Sequence, residues 1–337
     1  MKTPSITQSG GRFVFRITIN GVKQRVYSDT EQEARARLAA IQQHIVAVRR
    51  EPSNMTLREA EEKYITDRRG VLSPSTIRGY RMIQKHRFTA YAGQKINAIN
   101  WQRMISDEAC TCSAKTLKNA WGFVRSVVTD AGVNVPRVRL PMVIPKEGKF
   151  LEPEEIPLFL AAIKDKRGEL PAMLALHGLR RSEIFGLTFE NVNLKDGWLN
   201  IHGGMVVDEN GRYVWKEENK NRTSTRRVPI MIPRLKTLLF IAEVSADGGG
   251  LVVDESPSAL YKQINRACKA AGLPEVGVHG LRHTMASLSF DLGLTELEMQ
   301  ELGGWADAAT MHKIYTHLSS RKRRAGVAKL QGFYAGL

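Results

Sequence analysis

The sequence predicts a multidomain, mainly α protein: a small N-terminal β-sheet with a helix, then a helical bundle, then a mixed α/β domain. Three observations predict it. Residues 12–27 alternate apolar and polar side chains around an Asn20-Gly21 pair, the pattern of a β-hairpin with a two-residue turn. From Met55 to about Leu140 apolar residues recur at helical spacing instead. Beyond a stretch holding Pro136, Pro141 and Pro145, helical segments enclose four short strand-like runs.

In the hairpin, Phe13, Phe15, Ile17 and Ile19 share one face, and Val22–Tyr27 returns after the turn. Thr30 and Glu33 fit a capping box for a helix carrying Ala34, Leu38, Ile41, Ile45 and Val48. Arg12, Arg16, Lys23, Arg25, Arg35 and Arg37 outnumber Asp29, Glu31 and Glu33 here, as suits a small sheet laid against DNA. The alternative is a solvated basic hairpin that only packs on its helix. Glu51–Asn54, with Pro52 inside it, reads as a linker.

The bundle opens on a second capping box, Thr56 with Glu59. Ser73-Pro74-Ser75 starts a helix with Ile77, Tyr80 and Ile83 on one face and the basic Arg78, Arg81, Lys85 and Arg87 beside them. Another runs from Lys115 to Ala131 and stops at Gly132. Whether these bases meet phosphates or only solubilise the bundle is open at this stage. In the last part, Leu151–Ile163 and Pro171–His177 read as helices. Trp198–Ile201, Met205–Val207, Tyr213–Lys216 and Arg226–Ile230 read as strands around Asn210-Gly211. Leu235–Val244, Ser258–Ala270, Arg282–Leu292, Glu296–Leu302 and Thr310–Tyr315 read as helices again. The expected domains are 1–50, 51–142 and 150–337.

Lys and Arg number 50 against 34 acidic residues in 337, a formal charge of +16 that favours an acidic partner. No apolar run reaches membrane-spanning length, and the N-terminus lacks a signal-peptide core, so nucleic acid stands ahead of a membrane. The three cysteines, Cys110, Cys112 and Cys268, suit a reduced, cytoplasmic protein without a disulfide framework. Cys110 and Cys112 have no second pair or nearby histidine to complete a zinc set, so no metal is expected.

Four separated segments supply what phosphoryl transfer with DNA requires: fixed cations for the charge that builds on phosphate oxygens, an in-line nucleophile, and a proton for the leaving oxygen. His177-Gly178-Leu179-Arg180-Arg181-Ser182-Glu183 places Arg180 at a loop-to-helix junction, with Glu183 one turn on to hold the basic cluster. The run Lys216–Pro229 offers a lysine able to reach a phosphate, Lys220 first and Lys216 in reserve. His279-Gly280-Leu281-Arg282 puts an imidazole and a guanidinium one turn apart. Last, Leu302-Gly303-Gly304-Trp305 precedes Tyr315, whose phenol can serve as nucleophile. Taken singly, each segment also fits an ordinary capped helix, charge run, buried histidine or core aromatic.

In order and residue type the set resembles the tyrosine recombinases, the phage-type integrase family: Arg180 with Glu183, Lys220, His279 with Arg282, Trp305, and Tyr315. The resemblance implies a three-stranded arm-type DNA-binding domain, a helical core-binding (SAM-like) domain and a catalytic domain of tyrosine recombinase type. It implies that Tyr315 attacks a DNA phosphate to give a 3′-phosphotyrosyl link and a free 5′-hydroxyl. Arg180, Arg282 and His279 would then stabilise the phosphorus, Lys220 would protonate the 5′-oxygen, Trp305 would donate a hydrogen bond, and Glu183 would organise the bases. Trp305 stands where many relatives have histidine. DNA contacts are expected from Arg12, Arg16, Lys23, Arg25, Arg78, Arg81 and Lys85. Neither ATP nor another cofactor is implied. The implied partners are double-stranded DNA attachment sites, three further copies of the chain in a tetramer, and accessory proteins: a DNA-bending host factor and an excisionase. The implied setting is the nucleoid of a bacterial host cytoplasm, for integration or excision of a prophage or mobile element. A DNA-binding regulator that has lost its chemistry, or a type IB-like relaxing topoisomerase, are the rival expectations. The basic run Arg321–Arg324 and the apolar tail from Val327 suggest docking on a neighbouring copy, or packing on the tail's own domain.

Overall fold

The structure, a computed structural model, describes residues 5–9, 11–19, 22–47, 54–144, 148–216, 225–247, 249–305, 327 and 330–336. The chain is multidomain and mainly α, and divides into two compact units, Met1–Val143 and Ile144–Leu337.

In the first unit, β1 (Thr7–Ser9), β2 (Arg12–Ile19) and β3 (Val22–Ser28) form an antiparallel sheet in that order, followed by α1 (Glu31–Ala47). Phe15 and Ile17 point to the helix and close a small core with Ala34 and Leu38. Thr30 Oγ1 accepts from the Glu33 amide at 3.2 Å, as its spacing predicts. Residues 20 and 21, the expected turn, lie outside the described residues.

The same unit holds a bundle of α2 (Leu57–Thr66), α3 (Pro74–His86), α4 (Trp101–Ala109) and α5 (Ala114–Asp130) around Leu57, Ile65, Ile77, Met104, Leu117 and Val124. The Thr56–Glu59 capping box forms with both hydrogen bonds, and Ser73 caps α3 with Pro74 in its first turn. Helix α4, only nine residues long, is too short to stand out by periodicity; its side-chain cap, Asn100 Oδ1 accepting from the Arg103 amide at 3.0 Å, is the local signal for it.

Glu61 is buried in this bundle, and its single close cation is Arg58 Nη1 at 4.0 Å among the described residues. Burial pushes its carboxyl up to about 7, outweighing the pull of Arg58. The sign follows from linkage. The folded bundle holds a proton that the unfolded chain releases near pH 4.5, so stability is full below pH 4.5 and falls as pH rises through about 7. Glu61→Gln should therefore unfold at higher urea than the parent at pH 8, by on the order of 2–3 kcal/mol, and show little difference at pH 4.5. An equal effect at both pH values would contradict this.

The second unit opens with α6 (Ile156–Ile163), α7 (Glu169–Leu176) and α8 (Arg181–Gly186). Five strands follow: β4 (Val192–Asn193), β5 (Trp198–Ile201), β6 (Gly204–Val207), β7 (Tyr213–Lys216) and β8 (Arg226–Pro229). They form two sheets rather than one. An antiparallel sheet runs β4-β5-β8, with Leu199 opposite Val228, while β6 and β7 make a separate hairpin with Met205 opposite Trp215. Helices α9 (Pro233–Ser245), α10 (Pro257–Ala270), α11 (Val278–Asp291) and α12 (Glu296–Gly303) complete the described part. The main core gathers Leu174, Leu199, Val228, Leu239, Ile264 and Leu281.

One boundary differs in a way that matters. The sequence reading begins a helix at Arg282, whereas α11 begins at Val278 and includes His279 in its first turn. Gly280, inside that first turn, serves close approach: a Cβ there would stand 2.6 Å from the Lys149 carbonyl oxygen. The expected helix Thr310–Tyr315 lies outside the described residues.

Candidate active site

The site is built on the junction between α7 and α8. Gly178, at φ +82°, turns the chain in a conformation that disfavours any side chain, and a Cβ would collide with the Met285 side chain. Its carbonyl accepts from Arg282 Nη1 and, at 3.4 Å, from Arg226 Nη2. Two positions on, Arg180 occupies the N-cap of α8, its amide donating to Glu183 Oε2 at 2.8 Å and its Nη1 to Glu183 Oε1 at 2.6 Å.

Glu183 is the hub. Its side chain is fully buried and also accepts from Arg226, Nη1 to Oε1 at 3.2 Å and Nη2 to Oε2 at 3.0 Å. Burial alone would raise its pKa. The charges and hydrogen bonds of Arg226 and Arg180 outweigh that and hold the carboxyl below the ordinary carboxylate value. Glu183 is thus an anion at neutral pH; with Arg180 and Arg226 on it and Arg282 on the Gly178 carbonyl that Arg226 also reaches, this four-residue cluster is net positive.

Arg282 lies deepest, 2% exposed, with its guanidinium 4.4 Å from the Trp305 ring centroid. Burial, then the charge of Arg180, pull its pKa down to about 9, so it stays protonated at neutral pH in a setting that resists the charge. Trp305 is buried with Met285, Ala286 and Met299, its ring so close to Gly303 that a Cβ there would overlap it. The turn leading to Trp305 is held by the same arginines. The Leu302 carbonyl accepts from Arg226 Nε at 3.0 Å, and that of Gly304, a left-handed cap at φ +66°, accepts from Arg180 Nη2.

His279 keeps an open side to solvent and packs edge-on against His283, centroids 4.3 Å apart. Partial burial, then the charges of Arg282 and Arg180, hold it below its usual pKa, so it is neutral at pH 7. His283 is pulled lower still, to about 4, by burial, His279 and Arg282; its Nδ1 is buried without a hydrogen-bond partner among the described residues. His177 has a different task. It is fully buried, donates from Nδ1 to the Met173 carbonyl at 2.7 Å, and accepts at Nε2 from the Met231 amide at 2.9 Å, tying α7 to the chain ahead of α9.

Of the residues the sequence singles out, Arg180, Glu183, His279, Arg282 and Trp305 come together here. Lys216 ends β7 half-buried; Lys220, Tyr315 and Arg321–Arg324 lie outside the described residues. Arg226 was missed, although strand alternation pointed to it: Val228 is fully buried, so Arg226, two residues earlier, shares its inward face while Arg227 points out.

Elsewhere, Arg16 stands directly opposite Arg25 on the sheet face turned away from α1, and Arg12 shares that face beside Asp29 at 3.1 Å. Lys23 stands at the register position opposite Thr18. Like charges paired across strands cost stability unless an anion lies over them. In the bundle, Arg78 and Lys85 are exposed, whereas Arg81 is bound to Glu62, Nη2 to Oε1 at 2.8 Å. Among the described residues no helix is long and apolar enough to cross a membrane, and no cluster of three or more histidine, cysteine or acidic side chains is placed to hold a metal ion.

Fold and site together define a multidomain helical protein whose C-terminal unit carries a cradle of arginines for an anion. The sequence model of the phage integrase family matches residues 149–322, more than half of the chain, and the chain belongs to that family. It is 27% identical over 205 residues to the tyrosine recombinase XerA of Pyrococcus furiosus, covering 57% of this chain and 65% of that protein. The chain spans between about half and two thirds the length of the first curated relatives it matches. Among solved structures, the Tn1549 transposon integrase in complex with transposon right end DNA shares the fold at TM-score 0.61 and 18% identity, covering 82% of this chain and all of that one. A lambda integrase tetramer bound to a Holliday junction does so at 0.53 and 15% identity, covering 91% and 96%.

Proposed function

We propose that the chain is a site-specific DNA recombinase that integrates or excises a mobile element or prophage by cutting and rejoining DNA through a phosphotyrosyl intermediate. The observation that carries this is the meeting of Arg180 and Arg226 on the buried Glu183, with Arg282 sharing the Gly178 carbonyl with Arg226, which leaves a fixed net positive charge beside a neutral His279.

Chemically, the Tyr315 oxygen attacks a DNA phosphorus, forming the P–O(Tyr) bond as the P–O5′ bond breaks. The phenol proton passes to His279, and as an imidazolium it adds positive charge beside the phosphate. Arg180 and Arg282 stabilise the charge that develops on the non-bridging oxygens, and Trp305 adds its indole N–H. The electron pair of the broken bond stays on O5′, which takes a proton from Lys220. Attack by a 5′-hydroxyl on the phosphotyrosine reverses each step and rejoins the strand, so the bond energy is conserved.

The division into an arm-binding domain at 1–50, a core-binding domain at 51–142 and a catalytic domain at 150–337 suits this reading. The Arg16–Arg25 face is the arm-site contact, with Arg12 and Lys23 beside it; Arg78 and Lys85 face the core site, with Arg81 steadied by Glu62. The active form is a tetramer on its attachment sites, assisted by a DNA-bending factor and an excisionase, in the nucleoid of a bacterial cytoplasm. Exposed Val327, Leu330, Phe333 and Tyr334 recur at helical spacing in the tail and offer an apolar stripe for a neighbouring copy.

The test is a nicked suicide substrate carrying the attachment site. A covalent protein–DNA adduct is expected that Tyr315→Phe abolishes and Lys220→Ala slows by about a hundredfold. An adduct that persists in Tyr315→Phe overturns the nucleophile and turns attention to Tyr334. No adduct at all leaves a DNA-binding regulator, and an adduct that only relaxes supercoils without forming junctions leaves a topoisomerase.

A further inference from the structure

The hairpin of β6 and β7 is separate from the neighbouring sheet, and two strands alone are not stable in water, so it must dock on something. It docks on α8 through backbone. A Cβ on Gly186, the last residue of α8, would stand 2.7 Å from both Gly204 Cα and Met205 N; one on Gly204 would stand 2.7 Å from the Ser182 carbonyl oxygen. The Trp215 indole closes over this contact. A Cβ on Gly203 would meet its Cζ2 at 2.5 Å, and one on Gly186 its Cζ3 at 2.8 Å. None of these three glycines has a positive φ, so close approach, not turn geometry, is what requires glycine there.

Trp215 immediately precedes Lys216. At the other end of the same segment, Arg226 opens β8 with its guanidinium on Glu183, again on α8. Trp215 and Arg226, which flank in sequence both candidate lysines, are therefore both anchored on one short helix, the helix capped by Arg180. We propose that Trp215 and Arg226 are positioning residues: they fix both ends of the lysine-bearing segment against the helix that carries Arg180, so that the acid and the phosphate cradle share one rigid base. The inference rests on the reading above, in which a lysine of this segment protonates O5′. A displacement of about 1 Å costs roughly a hundredfold in such a step.

The test uses the full chain and two nicked suicide substrates, identical except that sulfur replaces the bridging 5′-oxygen at the scissile phosphate. A thiolate leaves without a proton, since thiols ionise near pH 8.5 where alcohols do not. Trp215→Ala should slow single-turnover cleavage of the oxygen substrate by about 30- to 100-fold and that of the sulfur substrate by less than about threefold. Lys220→Ala, or Lys216→Ala if that is the acid, sets the reference pattern. Trp215→Phe keeps a ring in the slot and should restore most of the oxygen rate. Because Trp215 is 39% exposed and lies outside the main core, its truncation leaves that core intact. Equal loss on both substrates, or no loss on either, overturns the inference. If the parent chain forms no adduct with either substrate, the proposed function itself fails and this inference with it. A parent that reacts while Trp215→Ala shows no sulfur rescue sinks the positioning role alone.

Discussion

Arg282→Ala should lower single-turnover strand cleavage by about a thousandfold or more while changing DNA affinity by less than about tenfold. Arg282 is 2% exposed, and burial with the charge of Arg180 disfavours its protonated form. The resting protein thus holds a positive charge that its surroundings compensate incompletely, and an added negative charge on the phosphate relieves that cost most when it is largest, in the transition state. Removing one preorganised donor of this kind typically costs a hundred- to a thousandfold; a buried charged one belongs at the upper end. Affinity changes less because many other phosphate contacts bind the duplex. Arg282→Lys keeps the charge but loses the fork over Trp305 and the bond to the Gly178 carbonyl, so it should recover only part of the rate. Gel-shift titration and suicide-substrate cleavage separate the two quantities. Cleavage within tenfold of the parent at saturating DNA would remove Arg282 from the chemistry.

Glu183→Gln should cost the catalytic unit on the order of 3–5 kcal/mol at pH 7, the scale for breaking a buried ion pair by removing one partner. Its carboxylate receives both Arg180 and Arg226 with no exposure to water, so an amide there leaves two guanidiniums facing each other. The sign with pH is fixed by its lowered pKa: the stability it contributes is present above the ordinary carboxylate value of 4.5 and is lost as pH falls through the folded value. The gap between parent and variant should be full at pH 7 and narrow only below about 4.5. Arg226→Ala in the Glu183→Gln background should cost less than in the parent, because Glu183 is no longer left buried and charged with one partner fewer. Additive costs in urea unfolding would mean that the two side chains act independently.

Local signals in the sequence carried a good part of this fold. The Thr56–Glu59 box and Ser73-Pro74 mark helix starts that form as read, because a cap is satisfied within four residues of chain. Alternation at residues 12–19 places Phe15 and Ile17 inward, and only one register satisfies that pleat. The start of α11 was read late because no side chain caps it: Gly277 stands at its N-cap and has no side chain to accept a hydrogen bond from the first turn.

By itself the sequence determined the order of elements, the basic character, and the residue types of the site: Arg180, Glu183, His279, Arg282 and Trp305 among the described positions. Tertiary structure alone decided that an N-cap and a strand end bring Arg180 and Arg226 onto one carboxylate, that a helix interior brings Arg282 onto the neighbouring Gly178 carbonyl, and that the strands split so that β6 and β7 ride on α8. The reason is one of range. Caps and alternation are settled by neighbours a few residues apart, whereas gathering three like charges separated by up to 102 positions is opposed by their own repulsion. Only the packing of the whole unit, with a buried glutamate at its centre, holds them there.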